Sequence, residues 1–376
     1  MALIPRPDPS ATQIHKLPQY TYIDALRWLP HLSTFTRHIL LAAYDADTST
    51  PSLQTLAFSP SQNDPSLTPQ ASATAPSRIA SLKISSSPLT PSKPLVAAAT
   101  FSGTVLFYSA DLINGSLDCE FSVPEKGFHS GAVSGIDLNE NGSECVSVGE
   151  DGRVNLVNLS SKVGFKRVFD SNGLVSYSAV KWASPVEFVT GAFGFGLHWW
   201  DQRKSGGPVA LFKNNCCRLA FLIIAYGLER TRESASGIVH SIDIHPSRKH
   251  TCLAGGSSGV VFAWDTRWPK QPVLLSGVGF SDTNANSIVE SDIWEVQYDN
   301  YTHSSKIVNS SSSSSRILPA MICSEDGILA VIEQGEEPIE LLAEPCAINS
   351  FDIDRQNPSD VICSLEWESI AILTRS

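Results

Sequence analysis

The sequence predicts an all-β propeller of seven blades on three observations: a repeat of short strands, Trp-Asp pairs closing two of them, and tight-turn signals at matching places in several copies. The repeating unit is an alternating apolar strand, a gap, a second strand of small apolar residues, a tight turn and a third strand. Its clearest copy runs from Ile238 to Pro246, from Thr251 to Gly259 and from Val260 to Asp265. The others begin at Tyr22, Arg78, Ala132, Ser178, Ile293 and Ala347. Their central apolar residues are Leu26, Leu82, Ile136, Val180, Ile242, Val296 and Phe351, separated by 56, 54, 44, 62, 54 and 55 positions.

Each strand alternates at period two, as in Ile242 and Ile244 or Val261 and Ala263, so one face is apolar. A three- or four-stranded sheet of this kind cannot bury its faces alone. Stacking radially against the next copy solves the problem, and a closed ring leaves only short edges exposed. Trp200-Asp201 and Trp264-Asp265 end third strands, which is the WD-repeat signature. Asp151-Gly152, Ser258-Gly259 and Asp326-Gly327 supply the turns between second and third strands. The last copy has three strands before Ser376, so the strand-like stretch Gln13 to Leu17 is expected to supply the outer strand of that blade. Residues 1–376 then form one domain, because the blades of a propeller share a continuous core.

Composition narrows the function. A net charge of −11 argues against direct binding to nucleic acid, which needs clustered Lys and Arg, and the densest basic run is Arg248-Lys249-His250. Residues 1–20 contain four prolines and no apolar core, so no secretory signal is expected. No stretch reaches the roughly 18 apolar residues of a membrane-spanning helix. Eight cysteines include no Cys-x-x-Cys pair. Cys145 and Cys252 each precede their turn glycine by seven residues, which places them on second strands as small buried groups. Reduced thiols point to the cytosol or nucleus.

Three segments interrupt the pattern. Residues 59–77 are dominated by Ser, Pro, Ala, Thr and Gln, residues 304–315 include an unbroken serine run, and both are expected to be mobile loops on the rim. Residues 215–237 place the apolar run Cys216 to Leu228 where a polar connection between blades belongs. It reads as an added element on the rim, an exposed partner-binding patch or an insertion foreign to the fold, such as untrimmed intron sequence; the last is favoured because the segment breaks the local consistency seen elsewhere.

No motif supports catalysis. Gly255 to Gly259 matches the letters of a G-x-S-x-G nucleophile elbow, but a strand follows it rather than a helix. The same holds for the glycine-rich Gly191 to Gly196, so it is no phosphate cradle. His240, His245 and His250 have no completing carboxylate or thiol pattern, and neither a metal nor a cofactor is expected. The acidic run from Glu333, including Glu336, Glu337 and Glu340, is a candidate for meeting a basic partner surface. The aspartates of the turns are read as structural hydrogen-bond acceptors. Together with Gly152, Trp200, Asp201, Gly259, Trp264, Asp265 and Gly327, Asp151 and Asp326 make up the blade signature.

Three segments carry a more specific resemblance: Ala179 to Gly191, Ser241 to Cys252, and Glu333 to Ile353. A generic propeller does not require these combinations of loop and strand, and they resemble the 43-kDa WD-repeat nucleoporin family in its plant form. The resemblance implies a non-catalytic scaffold subunit of the Y-shaped outer ring of the nuclear pore complex, located at the nuclear envelope. It also implies partners among the other outer-ring nucleoporins and a role in transport of mRNA and protein, with no small-molecule substrate and no membrane insertion. The insert after Asn215 departs from the family pattern. A rival reading is a substrate-receptor propeller of a ubiquitin ligase, because Arg203 and Arg267 follow their Trp-Asp pairs by two residues, a pattern resembling the docking motif of those receptors. Fold alone does not decide between the two.

Overall fold

The period-two alternation of the repeat becomes seven antiparallel sheets of four strands each in the computed structural model. It describes residues 12–33, 36–60, 65–85, 91–123, 127–160, 164–213, 237–267, 272–276, 289–302 and 317–375. The chain enters through β1 (Gln13–Pro18). The first blade follows as β2 (Tyr22–Trp28), β3 (Arg37–Asp45), β4 (Thr50–Ser59) and β5 (Ser66–Thr74). The second contains β6 (Ile79–Ile84), β7 (Leu95–Thr100), β8 (Val105–Asp111) and β9 (Ser116–Val123). The third contains β10 (Gly135–Leu138), β11 (Glu144–Val148), β12 (Arg153–Asn158) and β13 (Gly164–Asp170). The fourth contains β14 (Tyr177–Ser184), β15 (Glu187–Ala192), β16 (Gly196–Asp201) and β17 (Ala210–Lys213). The fifth contains β18 (Val239–Ile244), β19 (Thr251–Gly256), β20 (Val261–Asp265) and β21 (Val273–Ser276). The sixth contains β22 (Ile293–Tyr298), β23 (Ala320–Ser324), β24 (Ile328–Ile332) and β25 (Ile339–Ala343). The last contains β26 (Ile348–Ile353), β27 (Asp360–Leu365) and β28 (Ser369–Thr374).

The fourth strand of the last blade is β1, paired antiparallel with β28 from Gln13 opposite Thr374 to Pro18 opposite Ser369. The outer strand expected from Gln13 to Leu17 is therefore where the sequence put it. It joins the two ends of the chain in one sheet and covers an edge that would otherwise be open.

The core explains why the blades form a ring. Buried apolar side chains fall into seven clusters among the described residues, and each cluster lies between two neighbouring blades. On β7, Val96 and Ala98 pack toward the first blade while Ala97 and Ala99 pack toward the third. On β27, Val361 and Cys363 pack toward the sixth blade and Ile362 toward the first. Both faces of a middle strand are thus apolar and each side chain has a fixed destination, so slipping the register by one residue would send every one of them to the wrong neighbour. The cluster joining the last blade to the first, built on Leu26, Ile39, Ile362 and Ile372, closes the circle. All seven repeat anchors lie on innermost strands and are buried.

One expectation needs correcting. Residues 59–77 are not a rim loop, since Ser59 ends β4 and Ser66–Thr74 form β5, the outer strand of the first blade. An outermost strand needs little apolar content, because only a few of its side chains reach the core. Ala71 and Ala73 supply that contact toward the second blade, and Leu67, on the other side of the register shift, packs against the cluster shared with the last blade. Pro69 is accommodated at a register shift opposite Thr55 and Leu56, on an edge where a missing N–H costs no ladder bond. Residues 304–315, and the 215–237 insert apart from Gly237, lie outside the described residues.

Deleting residues 1–18 removes β1 and exposes the β28 edge. A thermal melt of the truncated protein is expected to show a midpoint lower by at least about 5 °C, with aggregation on heating. An unchanged midpoint would mean that β1 does not close the ring.

Candidate partner-binding surfaces

The innermost strands have an unpaired edge along the central channel, and the sequence supplies the groups that satisfy it. Each anchor faces the preceding blade, so its two flanking residues face the following one. The residue after each anchor is polar: Arg27, Lys83, Asp137, Lys181, Asp243, Gln297 and Asp352. Several of these capture a backbone N–H from the next blade. Trp28 N–H donates to Asp352 at 2.8 Å, Trp182 N–H to Asp137 at 2.8 Å, and Tyr298 N–H to Asp243 at 2.9 Å. Ile353 N–H donates to the Gln297 side-chain oxygen at 3.3 Å.

The residue before the anchor repeats the device one step along. Val296 N–H donates to Ser241 Oγ at 3.1 Å, Leu26 N–H to Ser350 Oγ at 3.4 Å, and Phe351 N–H to Glu295 at 2.8 Å. Glu295 also binds the Arg27 guanidinium across the channel edge, and Arg27 donates to Ser350 Oγ at 2.9 Å. Burial opposes the Arg27 charge, but Glu295 and Asp352 more than offset it, so its pKa is raised. Burial also pushes the Lys83 amine down to about 8, helped by the charges of Lys181 and Arg27. Arg27 and the carboxylates of this belt therefore hold blades together.

The turns between second and third strands use the signature residues locally. Asp151 accepts from Ser130 N–H at 2.9 Å, from Arg153 N–H at 3.0 Å, and faces His129 Nδ1 at 3.0 Å. His129 Nε2 lies 3.0 Å from Ser147 Oγ and 2.9 Å from Asn155 Nδ2. Burial raises the Asp151 pKa, yet the hydrogen bonds from His129 and Ser130 outweigh it and bring it down to about 2. Asp326 repeats the arrangement, accepting from Glu290 N–H at 3.3 Å and Ser324 Oγ–H at 2.5 Å. Gly152 and Gly327 have φ of +75° and +82°. A Cβ at either would also collide with a carbonyl of the connector to the next blade, Val175 O at 2.3 Å or Glu344 O at 2.0 Å. Gly259, in the 3-10 turn Ser257–Gly259, meets Val289 O in the same way.

Trp200 and Trp264 are buried at the ends of β16 and β20, and the Trp200 indole N–H donates to Thr190 Oγ at 3.0 Å. Arg203 and Arg267 fold back onto the carboxylates of their own Trp-Asp pairs, Asp201 and Asp265, each through two side-chain hydrogen bonds of 2.6–2.9 Å. The histidines do not converge. His240 faces Asp292 at 3.0 Å, while His245 caps the Ser247–Arg248 turn through Nδ1. No cluster of three or more His, Cys, Asp or Glu able to hold a metal ion occurs among the described residues. Cys145 and Cys252 are buried on β11 and β19, where burial pushes the Cys252 thiol up to about 12. Gly255 to Gly259 and Gly191 to Gly196 each span a hairpin between two strands.

Two faces remain for partners. One carries the turns between third and fourth strands, and there Glu336 and Glu337 are exposed between β24 and β25, with Glu340 exposed on β25. The opposite face carries the turns between second and third strands and the connectors between blades. Exposed apolar side chains collect on it: Tyr20 and Trp367, which are 82% and 65% exposed, with Phe101, Leu174 and Phe193 further round the ring. No sequence signal singled these out, because each sits alone within a turn.

Replacing Arg27 by Ala leaves the partly buried Glu295 without its cation, and chemical denaturation is expected to show a loss of about 3 kcal/mol. Arg203→Ala removes a largely exposed guanidinium from Asp201, and the expected loss is at most about a third of that for Arg27→Ala. Asp151, with its pKa held below the value of about 3.9 for an unfolded chain, contributes stability above that pH and loses it as the pH falls toward about 2. Asp151→Asn should therefore show a flatter loss of stability than the parent between pH 4 and pH 2; parallel curves would contradict this.

No protein-family model matches the chain. Among curated proteins it is 54% identical over 373 residues to the nuclear pore complex protein NUP43 of Arabidopsis thaliana, covering 96% of this chain and 98% of that protein. It is 26% identical over 212 residues to the nucleoporin Nup43 of Mus musculus, covering 54% of this chain and 48% of that protein. An uncharacterised WD repeat-containing protein of Schizosaccharomyces pombe is 27% identical over 175 residues, covering 46% of this chain and 42% of that protein. With a near-full-length match at that identity, and a seven-bladed propeller to carry it, the chain belongs to the Nup43 family of nucleoporins.

Proposed function

We propose that this protein is a non-catalytic scaffold subunit of the Y-shaped outer ring of the nuclear pore complex. It binds partner nucleoporins through its propeller faces and so supports transport of mRNA and protein. The observation that carries the reading is the 54% identity, over 96% of the chain, to a plant nuclear pore complex protein. The physical mechanism is presentation. A ring whose inner edge is cross-linked by side-chain hydrogen bonds holds its surface turns in fixed positions, so little ordering cost is left for binding. Affinity then comes from a few exposed anchors rather than from area.

The ubiquitin-ligase reading rests on Arg203 and Arg267, and both guanidiniums are engaged with the aspartates two residues before them. A local role in the turn accounts for them. Full-length protein carrying a fluorescent tag is expected to mark the nuclear rim in plant cells, and crosslinked capture is expected to recover outer-ring nucleoporins. The double variant Arg203→Ala, Arg267→Ala should do the same. Recovery of ligase adaptors in place of nucleoporins, lost in the double variant, would overturn the proposal.

A further inference from the structure

The connector face is uneven in charge. On the sixth and last blades a chain of backbone hydrogen bonds ties successive turns together. Glu325 N–H donates to Asp292 O, Glu344 N–H to Gly327 O, Glu366 N–H to Ala347 O, and Tyr20 N–H to Glu368 O. Glu290, Glu325, Asp326 and Glu366 are therefore neighbours on one sector, and all four are exposed. Two basic side chains meet carboxylates along this path, the His240 ring at Asp292 and Lys16 at Glu344. Trp367 and Tyr20 stand at the end of the acidic sector, in touching turns, and are among the most exposed large side chains among the described residues. A largely exposed Trp beside a Tyr, flanked by carboxylates, has the composition of an interface hot spot with a charged rim.

We propose that this sector, with Trp367 and Tyr20 as apolar anchors and Glu290, Glu325, Asp326 and Glu366 as its charged rim, docks a Lys- and Arg-rich segment of a neighbouring pore subunit. The inference rests on the pore reading above and adds to it the face and the chemistry of the partner. Charge complementarity selects the occupant. Carboxylates at this density repel nucleic acid and acidic peptides, and they accelerate encounter with a basic segment. The aromatic pair then supplies the contact that slows its release.

A photocrosslinking p-benzoylphenylalanine in place of Trp367, in the full-length tagged protein in plant cells, tests this. A matched probe replaces Leu174, which is 88% exposed on the same face but far from the acidic sector. Irradiated nuclear envelopes are expected to yield, from position 367, a crosslinked peptide of another pore subunit in which Lys and Arg outnumber Asp and Glu. Position 174 should not yield that peptide. Adding Glu290→Lys and Glu366→Lys should cut the yield by about tenfold, while a thermal melt shows that the variant stays folded. A crosslink to an acidic or uncharged segment, a crosslink to a second copy of this chain, a yield indifferent to the charge reversal, or no crosslink despite a normal rim signal would each overturn the inference and leave the pore reading standing. Absence of the unsubstituted protein from the nuclear rim would overturn both.

Discussion

The structure depends on how it satisfies the inner edge of each sheet. Every blade ends at the channel in a strand with unpaired N–H groups, and such groups are costly when shielded from water. Here the side chains of the preceding blade reach across and accept them, through Asp352, Asp137, Asp243 and Gln297 on one row and Ser350, Ser241 and Glu295 on the other. Each of these bonds connects two blades rather than two strands of one blade. At the junctions of the last and first, third and fourth, fifth and sixth, and sixth and last blades, the polar edge and the apolar clusters therefore act together, and neither blade of such a pair can tilt away without breaking both.

Much of this was legible in the sequence. The anchors Leu26, Leu82, Ile136, Val180, Ile242, Val296 and Phe351 mark the innermost strands because a residue buried between two blades must be apolar in every copy. The outer strand from Gln13 to Leu17 could be placed because a ring of seven needs a fourth strand there. Outer strands are harder to read. Apart from Leu67, β5 is built from Ser, Thr, Gln, Pro and Ala, a composition that also suits a loop, and only its pairing with β4 reveals it. The channel belt was legible in principle, since a polar residue follows each anchor, but its function depends on the geometry of the next blade.

The surfaces were the least legible part, for a physical reason. Burial imposes a pattern along the chain, whereas an exposed patch is assembled from separate turns and leaves no period. Trp367 and Tyr20 lie at opposite ends of the sequence, and their turns meet because β1 pairs with β28. The acidic run around Glu336 is conspicuous in sequence yet falls in a turn on the other face, away from the exposed aromatic residues. Contiguity in sequence and contiguity on a propeller face are different properties.

The most direct test of this account is native-state hydrogen exchange at the backbone amides of Trp28, Trp182, Tyr298 and Phe351. They belong to edge strands, where amides ordinarily exchange through local fraying. If side chains of the preceding blade close the edge, these amides exchange as slowly as those of the middle strands, through global unfolding. Exchange at the rate of the surface turns would contradict the account, because the ring would then be held by apolar packing alone.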